Sequence, residues 1–284
     1  MKRRSFLLGS AAAAGGASGG RGQSPGTRTA MPQFQLGCVT YDLLKDATLE
    51  SLIQILESAG IAAVELRTGH KHGVEPSLNA PGRELVRARF QRSKVRLLSY
   101  GSTCEFQSPD EAERQRQIET GKAFVDLARD TGAIGVKVRP NGLPQGVPYS
   151  TTIQNIAGGL RELGEYGAAK SIEIWMEVHG RGTMEPKTAA EILTATNHRN
   201  VGACWNSNPT DVRDGSVKQS FDLLRPYLRS AHINELYNSY PWREFFHLLR
   251  ATGYDRYTLA EVAGNSEPAR FLQYYKALWQ QLVA

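Results

Sequence analysis

Four side chains that can bind metal ions or transfer protons recur at similar spacing in the second half of the sequence. They are Glu177, Asn206, His232 and Glu261, separated by 29, 26 and 29 residues. Each lies near the end of a short apolar stretch, in IEIWMEVHG, VGACWN, RSAHIN and YTLAEV. Carboxylate, amide and imidazole groups from separate strands can converge on one divalent ion. Because no local motif such as HExxH or CxxC is present, the predicted metal site depends on this spacing alone.

The spacing follows an alternation of apolar strands and amphipathic helices that starts near residue 35. Strand candidates begin near Leu36, Ile61, Val95, Ala133, Ile172, Val201, Arg229 and Tyr257. Alternating units of this length imply a parallel sheet, and eight of them within ~250 residues predict a (β/α)8 TIM barrel. The alternative is an open doubly wound sheet, but no glycine-rich phosphate-binding fingerprint follows the first strand. In a barrel, the strand ends that carry the four side chains meet at one mouth.

Composition excludes several classes of protein. The chain has 284 residues, of which 40% are hydrophobic and 22% charged, and this balance excludes a disordered chain. No apolar run reaches the ~18 residues of a membrane span. The net charge is +6, but the first 30 residues carry five basic side chains and no acidic one. The remaining residues carry a net charge of only +1, so we predict no nucleic-acid partner.

The first 30 residues have the composition of an export segment. The run from Lys2 to Leu8, KRRSFLL, resembles a twin-arginine signal, and an Ala/Gly stretch and a Gly/Ser/Pro/Thr linker follow it. We therefore expect residues 1–30 to be a signal peptide and linker, residues 31–284 to form the barrel, and the periplasm or cell envelope to be the destination. A disordered basic tail is the alternative. Cys38, Cys104 and Cys204 lie in or beside strand-like runs, which predicts buried free thiols.

From about residue 35 to the end, the chain resembles the xylose-isomerase-like barrel superfamily, which contains sugar isomerases and epimerases and endonuclease-IV-like proteins. Its members typically bind divalent metals through Glu, Asp, His and Glu on strands 5 to 8. By position, Glu177, Asn206, His232 and Glu261 correspond, and the Glu-x-His-Gly run on strand 5 is similar to many bacterial members. The sequence departs from the pattern at Asn206, which replaces the aspartate, and at Pro209, which replaces a frequent histidine. Asparagine brings no charge, so we expect weaker metal binding or a changed chemistry.

The resemblance implies a divalent-metal-dependent isomerase or epimerase, with Mn, Mg, Zn or Co as the ion. It would act on a sugar or sugar derivative by removing the proton next to a carbonyl. Glu177 and Glu261 would remove and return this proton, and His179 or His232 would polarise oxygens. The role of His179 stays open between metal ligand, hydroxyl donor and loop residue.

Other polar or aromatic residues near the strand ends are candidates for binding the substrate. They are Glu65, His70, His72, Trp205, Asn208, Asn234 and Glu235. An aromatic face such as that of Trp205 can stack on a sugar ring, although the same residue can belong to the core. Non-catalytic alternatives are a structural ion pair of Glu177 or Glu261 with Arg139 or Arg181, and a core role for His232.

Three other functions compete with the isomerase. A lyase acting on a keto-sugar would use the same groups if the intermediate expelled a leaving group. A metal-free sugar-binding protein is favoured by Asn206. An endonuclease-IV-like phosphodiesterase needs more His and Asp ligands and a basic face, which the nearly neutral barrel lacks. The sequence leaves open which sugar is bound and whether the chain forms a homo-oligomer.

Overall fold

The eight predicted strands form a closed parallel barrel. In a computed structural model, which describes residues 34–284, the strands pair in chain order and β8 closes on β1. The strands are β1 (Gln35–Val39), β2 (Ala63–Arg67), β3 (Arg96–Gly101), β4 (Gly135–Val138), β5 (Glu173–Glu177), β6 (Val201–Trp205), β7 (Leu228–Ile233) and β8 (Tyr257–Ala260). The prediction of a (β/α)8 barrel is confirmed.

Helices surround the barrel and return the chain from the end of one strand to the start of the next. They are α1 (Tyr41–Leu44), α2 (Leu49–Ala59), α3 (Ala80–Gln91), α4 (Glu111–Thr131), α5 (Tyr149–Ala168), α6 (Pro186–Thr196), α7 (Lys218–Leu224), α8 (Trp242–Ala251) and α9 (Pro268–Val283). Helix α1 is a single turn between β1 and α2, so one substantial helix follows each strand, as predicted. Within residues 34–284, no helix is both long and apolar enough to span a bilayer.

The inside of the barrel has its own small core. Val39, Leu98, Trp175, Cys204 and Leu259 pack together there, separate from the larger core between strands and helices. Space for the Trp175 indole comes from a glycine on the neighbouring strand. A Cβ atom on Gly135 would lie 2.5 Å from the indole ring, so a larger residue would displace it.

This inner core sets the orientation of the residues above it. Side chains in a strand alternate between faces, so the residue two positions after an inward residue also points inward. Glu177 lies two positions after Trp175, and Glu261 lies two positions after Leu259. By the same count, Asn206, two positions after Cys204, lies at an inward position at the mouth.

The three cysteines are buried and free, as predicted. Burial raises the pKa of Cys38 to about 12, so this thiol stays protonated. The predicted export signal and linker lie outside the described residues, and the envelope location stays a prediction.

Candidate active site

Three of the four spaced residues lie together at the carboxyl end of the barrel. His232 Nδ1 lies 3.4 Å from Glu261 Oε2 and 3.7 Å from Glu177 Oε1. One ligand atom from each of the three residues lies within 4.8 Å of the other two. The side chains of His232 and Glu177 are almost fully buried, whereas that of Glu261 is 21% exposed. The cluster is therefore accessible from solvent on the side of Glu261.

A fourth carboxylate lies behind the histidine. Glu65 Oε1 is 3.2 Å from His232 Nε2, and Glu65 Oε2 accepts a hydrogen bond of 2.8 Å from the Ser99 hydroxyl. Glu65 is completely buried, and the backbone of Gly101 packs against it so closely that a Cβ there would be 2.8 Å from Oε1. The carboxylate of Glu65 lies below the mouth and contacts His232, and its predicted contact with substrate stays a prediction.

A lysine that sequence reasoning missed completes the buried cluster. Lys137 on β4 donates a hydrogen bond of 2.7 Å to Glu177 Oε2 and lies 3.4 Å from the Ser102 carbonyl. The side chains of Lys137 and Glu177 are only 4% and 5% exposed. The suggested ion pair of Glu177 with Arg139 is wrong, because Arg139 pairs with Glu105 at 3.3 Å. The missed signal is the period of two along β4, which places Lys137 two positions after the inward Gly135.

The buried charges shift each other's pKa values. Burial raises the pKa of Glu177, but the Lys137 ammonium and the imidazole lower it by more, and it lies well below its usual range. Burial lowers the pKa of His232, but the adjacent Cys204 sulfur raises it. The surrounding carboxylates raise it further, so it lies well above 6.5. The pKa of Lys137 is also raised, because its carboxylate partners outweigh the effect of burial. Glu177 is thus ionised and Lys137 protonated at neutral pH.

The cluster has the donor set of a divalent-metal site. His232 Nδ1 is buried and faces the two carboxylates, and it would bind an ion once its proton is released. Its other nitrogen contacts Glu65, the arrangement by which carboxylates orient metal-binding histidines. Glu177 uses Oε2 for Lys137 and keeps Oε1 on the side of His232. Two carboxylates, an imidazole and the amide at Asn206 would suit Mn, Mg, Zn or Co.

The two histidines after β2 are held differently from each other. His72 is buried, with Nε2 2.9 Å from the Arg67 carbonyl and Nδ1 accepting from the Val74 amide at 3.1 Å. Both of its nitrogens are used within its own loop, and contact of His72 with substrate stays a prediction. His70 is half-buried, and its Nδ1 lies 2.9 Å from the Thr40 hydroxyl. Burial, His72 and Arg67 lower the pKa of His70 to about 4, so it is neutral at neutral pH.

Two residues at the end of β6 and in the following loop, both predicted to bind substrate, are buried and hydrogen-bonded within the protein. Trp205 is 1% exposed, stacks on Phe245 at 4.9 Å and donates to the Tyr240 hydroxyl at 3.0 Å. It faces the helices because it alternates with the inward Cys204, which agrees with the core role that the sequence left open, and its stacking on a sugar stays a prediction. Asn208 is buried and donates to the Val178 carbonyl at 2.6 Å, which ties this loop to the end of β5. Its predicted contact with substrate stays a prediction.

Asn234 and Glu235 follow β7 and connect neighbouring loops. Asn234 donates to the Ser207 carbonyl at 3.2 Å and accepts from Asn238 at 3.1 Å. Glu235 accepts from the backbone of Ala263 at 3.3 Å. Both residues are half-buried, and their contact with substrate stays a prediction.

A second polar group lies on the loops after β3, β4 and β5. Glu105 accepts hydrogen bonds from Asn141 and Gln107 at 2.6 and 2.8 Å and pairs with Arg139, so its charge is balanced. Three buried atoms of these loops have no hydrogen-bond partner, namely Gln107 Oε1, Arg139 Nε and His179 Nδ1. His179 is half-buried and lies two positions after the inward Glu177. These loops thus offer both donors and acceptors to a neutral ligand.

Comparison with solved structures finds the same fold in two sugar epimerases and in a protein with a bound zinc atom. D-psicose 3-epimerase from Clostridium cellulolyticum H10, crystallised with D-tagatose, aligns with a TM-score of 0.76 and 12% identity, over 88% of this chain and 99% of that chain. The 3-keto-D-glucoside 4-epimerase YcjR from E. coli aligns with a TM-score of 0.73 and 13% identity, over 87% and 99%. The IOLI protein, solved with a zinc atom, aligns with a TM-score of 0.74 and 16% identity, over 88% and 98%.

Sequence comparison identifies the family. Among curated proteins, no sequence matches this chain significantly. The sequence profile of the xylose isomerase-like TIM barrel family, in contrast, matches residues 53–277, which is most of the barrel. That match agrees with the closed eight-stranded barrel and with the cluster at its carboxyl end. The chain belongs to the xylose isomerase-like TIM barrel family.

Proposed function

We propose that this protein is an epimerase or isomerase of a keto-sugar, with its acid–base centre at Glu177 and Glu261. The observation that carries the proposal is the placement of two carboxylates from different strands on one imidazole, with ligand atoms within 4.8 Å. The activities of the structurally similar psicose and keto-glucoside epimerases support it.

Each carboxylate has a distinct role in this proposal. Epimerisation removes a proton from the carbon next to a carbonyl and returns a proton to the opposite face, which requires a group on each side. Glu177 ends β5 and Glu261 directly follows β8, and these two strands are not neighbours in the barrel. Lys137 keeps Glu177 ionised and therefore able to accept a proton. Glu261 is the more exposed of the two and can exchange its proton with solvent.

We also propose that a divalent ion is held by Glu177, His232 and Glu261, together with Asn206. When bound, it would polarise the carbonyl and hydroxyl oxygens of the substrate and so acidify the adjacent C–H bond. Glu65 orients His232 toward the ion position. The zinc atom in the IOLI structure supports this part of the proposal.

The pairing of Arg139, on the loop after β4, favours an uncharged substrate. Arg139 is neutralised by Glu105, so it is a poor site for a phosphate group. The unpartnered atoms of Gln107, Arg139 and His179 include a donor and an acceptor, which is what sugar hydroxyls require. We therefore propose an unphosphorylated keto-sugar as substrate and the loops after β3, β4 and β5 as the binding site of its hydroxyl groups.

The test is an assay on paired substrates. The purified barrel is incubated with Mn2+ and D-fructose, D-tagatose or D-psicose, and separately with phosphorylated ketoses, and the products are separated by chromatography. We expect epimerisation of at least one free ketose and little turnover of its phosphate ester, with Glu177→Gln as the inactive control. Preference for the phosphate ester would contradict the proposed substrate class. Release of a leaving group with an unsaturated keto product would identify a lyase instead.

A further inference from the structure

Lys137 places a permanent positive charge inside the proposed metal site. Its Nζ atom is 2.7 Å from Glu177 Oε2, and the side chains of both residues are at most 5% exposed. Glu177 Oε1, the other oxygen of the same carboxylate, is the one that lies on the side of His232. One carboxylate is therefore shared between a lysine ammonium and the position that a metal ion would take.

Lys137 offsets one of the negative charges around that position. Glu177, Glu261 and the buried Glu65 each contribute one negative charge, Asn206 contributes none, and Lys137 contributes one positive charge. The buried ammonium is poorly screened by solvent, so it acts strongly on a nearby cation. It also satisfies Glu177 by itself, which removes the cost of burying an unpaired carboxylate when no metal is bound.

We infer that Lys137 acts as a built-in cation of this site, which stabilises Glu177 in the metal-free barrel and weakens the binding of a divalent ion. The metal is then exchangeable and contributes little to the stability of the fold. The inference rests on the proposed metal site and does not depend on which sugar is converted.

A purely structural role for Lys137 predicts the opposite change in affinity. If the lysine only held Glu177 in its rotamer, its removal would disorder a ligand and weaken metal binding. If it competes with the ion for Glu177, its removal frees a carboxylate oxygen and eliminates a repulsive charge, and binding becomes tighter. The sign of the change therefore distinguishes the two roles.

The experiment measures Mn2+ affinity by titration calorimetry at fixed pH and salt. Lys137→Met removes the charge and keeps most of the stem, Lys137→Gln removes the charge and keeps a hydrogen-bond donor, and Lys137→Arg keeps the charge. Lys71→Met is the matched control, because Lys71 is exposed on the loop after β2. We expect Mn2+ to bind tenfold or more tightly to the Met and Gln variants, and with wild-type affinity to the Arg and Lys71 variants.

Two results would overturn the inference. Weaker or unchanged Mn2+ binding in whichever of the Met and Gln variants folds would show that Lys137 only positions Glu177. The wild-type protein provides a second measurement that needs no variant, namely its unfolding temperature with and without a chelator. We expect the two temperatures to agree within a few degrees, and loss of the folded state in chelator would contradict a built-in cation. If the Mn2+ affinities of the variants are as expected but no sugar is converted, the proposed function is contradicted and the inference about Lys137 is not.

Discussion

The imidazole of His232 lies between Glu65, 3.2 Å from Nε2, and Glu261, 3.4 Å from Nδ1. Glu65 is buried beneath the histidine, whereas Glu261 reaches the mouth of the barrel. The ring is thereby oriented by a carboxylate that does not contact solvent, and its other nitrogen faces the two groups proposed to transfer protons. We therefore expect substitution of Glu65 to change metal binding, and substitution of Glu177 or Glu261 to change proton transfer.

Loss of either proposed acid–base carboxylate should abolish most turnover. Glu177→Gln and Glu261→Gln keep the shape of the side chain but remove the proton acceptor, and loss of general acid–base catalysis typically costs about 100- to 10,000-fold in rate. The readout is kcat on a ketose that the wild type converts.

The control for these variants is Glu173→Gln, four positions earlier on β5 at the opposite end of the barrel. Glu173 pairs with Arg256 and with the Trp175 indole, far from the proposed chemistry. We expect its kcat to stay within a few fold of wild type. Near-normal kcat in Glu177→Gln or Glu261→Gln would remove that residue from the mechanism.

Removal of the Glu65 charge should weaken metal binding, although Glu65 is not itself a proposed metal ligand. In Glu65→Gln, the imidazole loses the carboxylate that orients it, and such changes typically cost 10- to 100-fold in metal affinity. Mn2+ titration calorimetry measures the effect. Ser99→Ala, which deletes only the hydrogen bond to Glu65 Oε2, is the milder comparison and should lose less affinity. Equal affinity of Glu65→Gln and wild type would show that Glu65 has no role in holding the ion.

Much of the fold could be predicted because strand and helix patterns repeat once per unit. The spacing of 29, 26 and 29 residues correctly indicated that Glu177, His232 and Glu261 lie at the same end of the barrel. Neighbouring parallel strands pair in a regular register, so residues spaced by about one unit lie at the same level of the barrel. This placement could be inferred without knowledge of long-range contacts.

Side-chain orientation and loop contacts were harder to infer. Trp205 points to the helices and Lys137 into the barrel, and both directions follow only once one inward residue on each strand is known. A lysine in the apolar strand GVKV is expected to point outward, because burying its charge without a partner is costly. Its partner, Glu177, is 40 residues away in the sequence. His72 and Asn208 lie in loops, where hydrogen bonds to nearby backbone carry no periodic signal.

Restoring the family aspartate on strand 6 should tighten metal binding. Asn206→Asp is nearly isosteric and adds a negative charge at an inward position at the mouth. Two unit charges about 4 Å apart interact by about 4 kcal/mol at an effective dielectric constant of ~20, and about a third of that corresponds to a tenfold change. We expect Mn2+ to bind at least tenfold more tightly at fixed pH and salt. Asn208→Asp, on the same loop but bonded to Val178, is the control, and unchanged affinity of Asn206→Asp would place this residue outside the ligand set.

Asp211 should make the stability of the barrel depend on pH. Its Oδ2 atom accepts hydrogen bonds from the Asn208 amide at 2.8 Å and the Tyr240 hydroxyl at 2.9 Å, and burial raises its pKa from 3.8 to about 7. The folded state therefore binds this proton more tightly than the unfolded state. Its contribution is complete below pH 4 and is lost as the pH rises through 7.

Asp211→Asn removes the titrating carboxyl group, so the free energy of unfolding should depend less on pH. The free energy of unfolding of the variant, relative to wild type, should increase by on the order of 2–4 kcal/mol between pH 4 and pH 8. Urea unfolding at several pH values measures the difference. Asp214→Asn, exposed on the following loop, should show no such change. If the free energies of unfolding of Asp211→Asn and wild type changed with pH in parallel, Asp211 would be ionised over the whole pH range.

The central claim is that Glu177 and Glu261 exchange a proton with the carbon next to a substrate carbonyl. The most direct measurement is NMR of the ketose product formed by the Mn2+-supplemented wild-type protein in D2O. The account predicts one deuterium from solvent at that carbon, and a loss of its uptake in Glu177→Gln and Glu261→Gln. Product formed without solvent deuterium, or labelled equally fast by both variants, would contradict it.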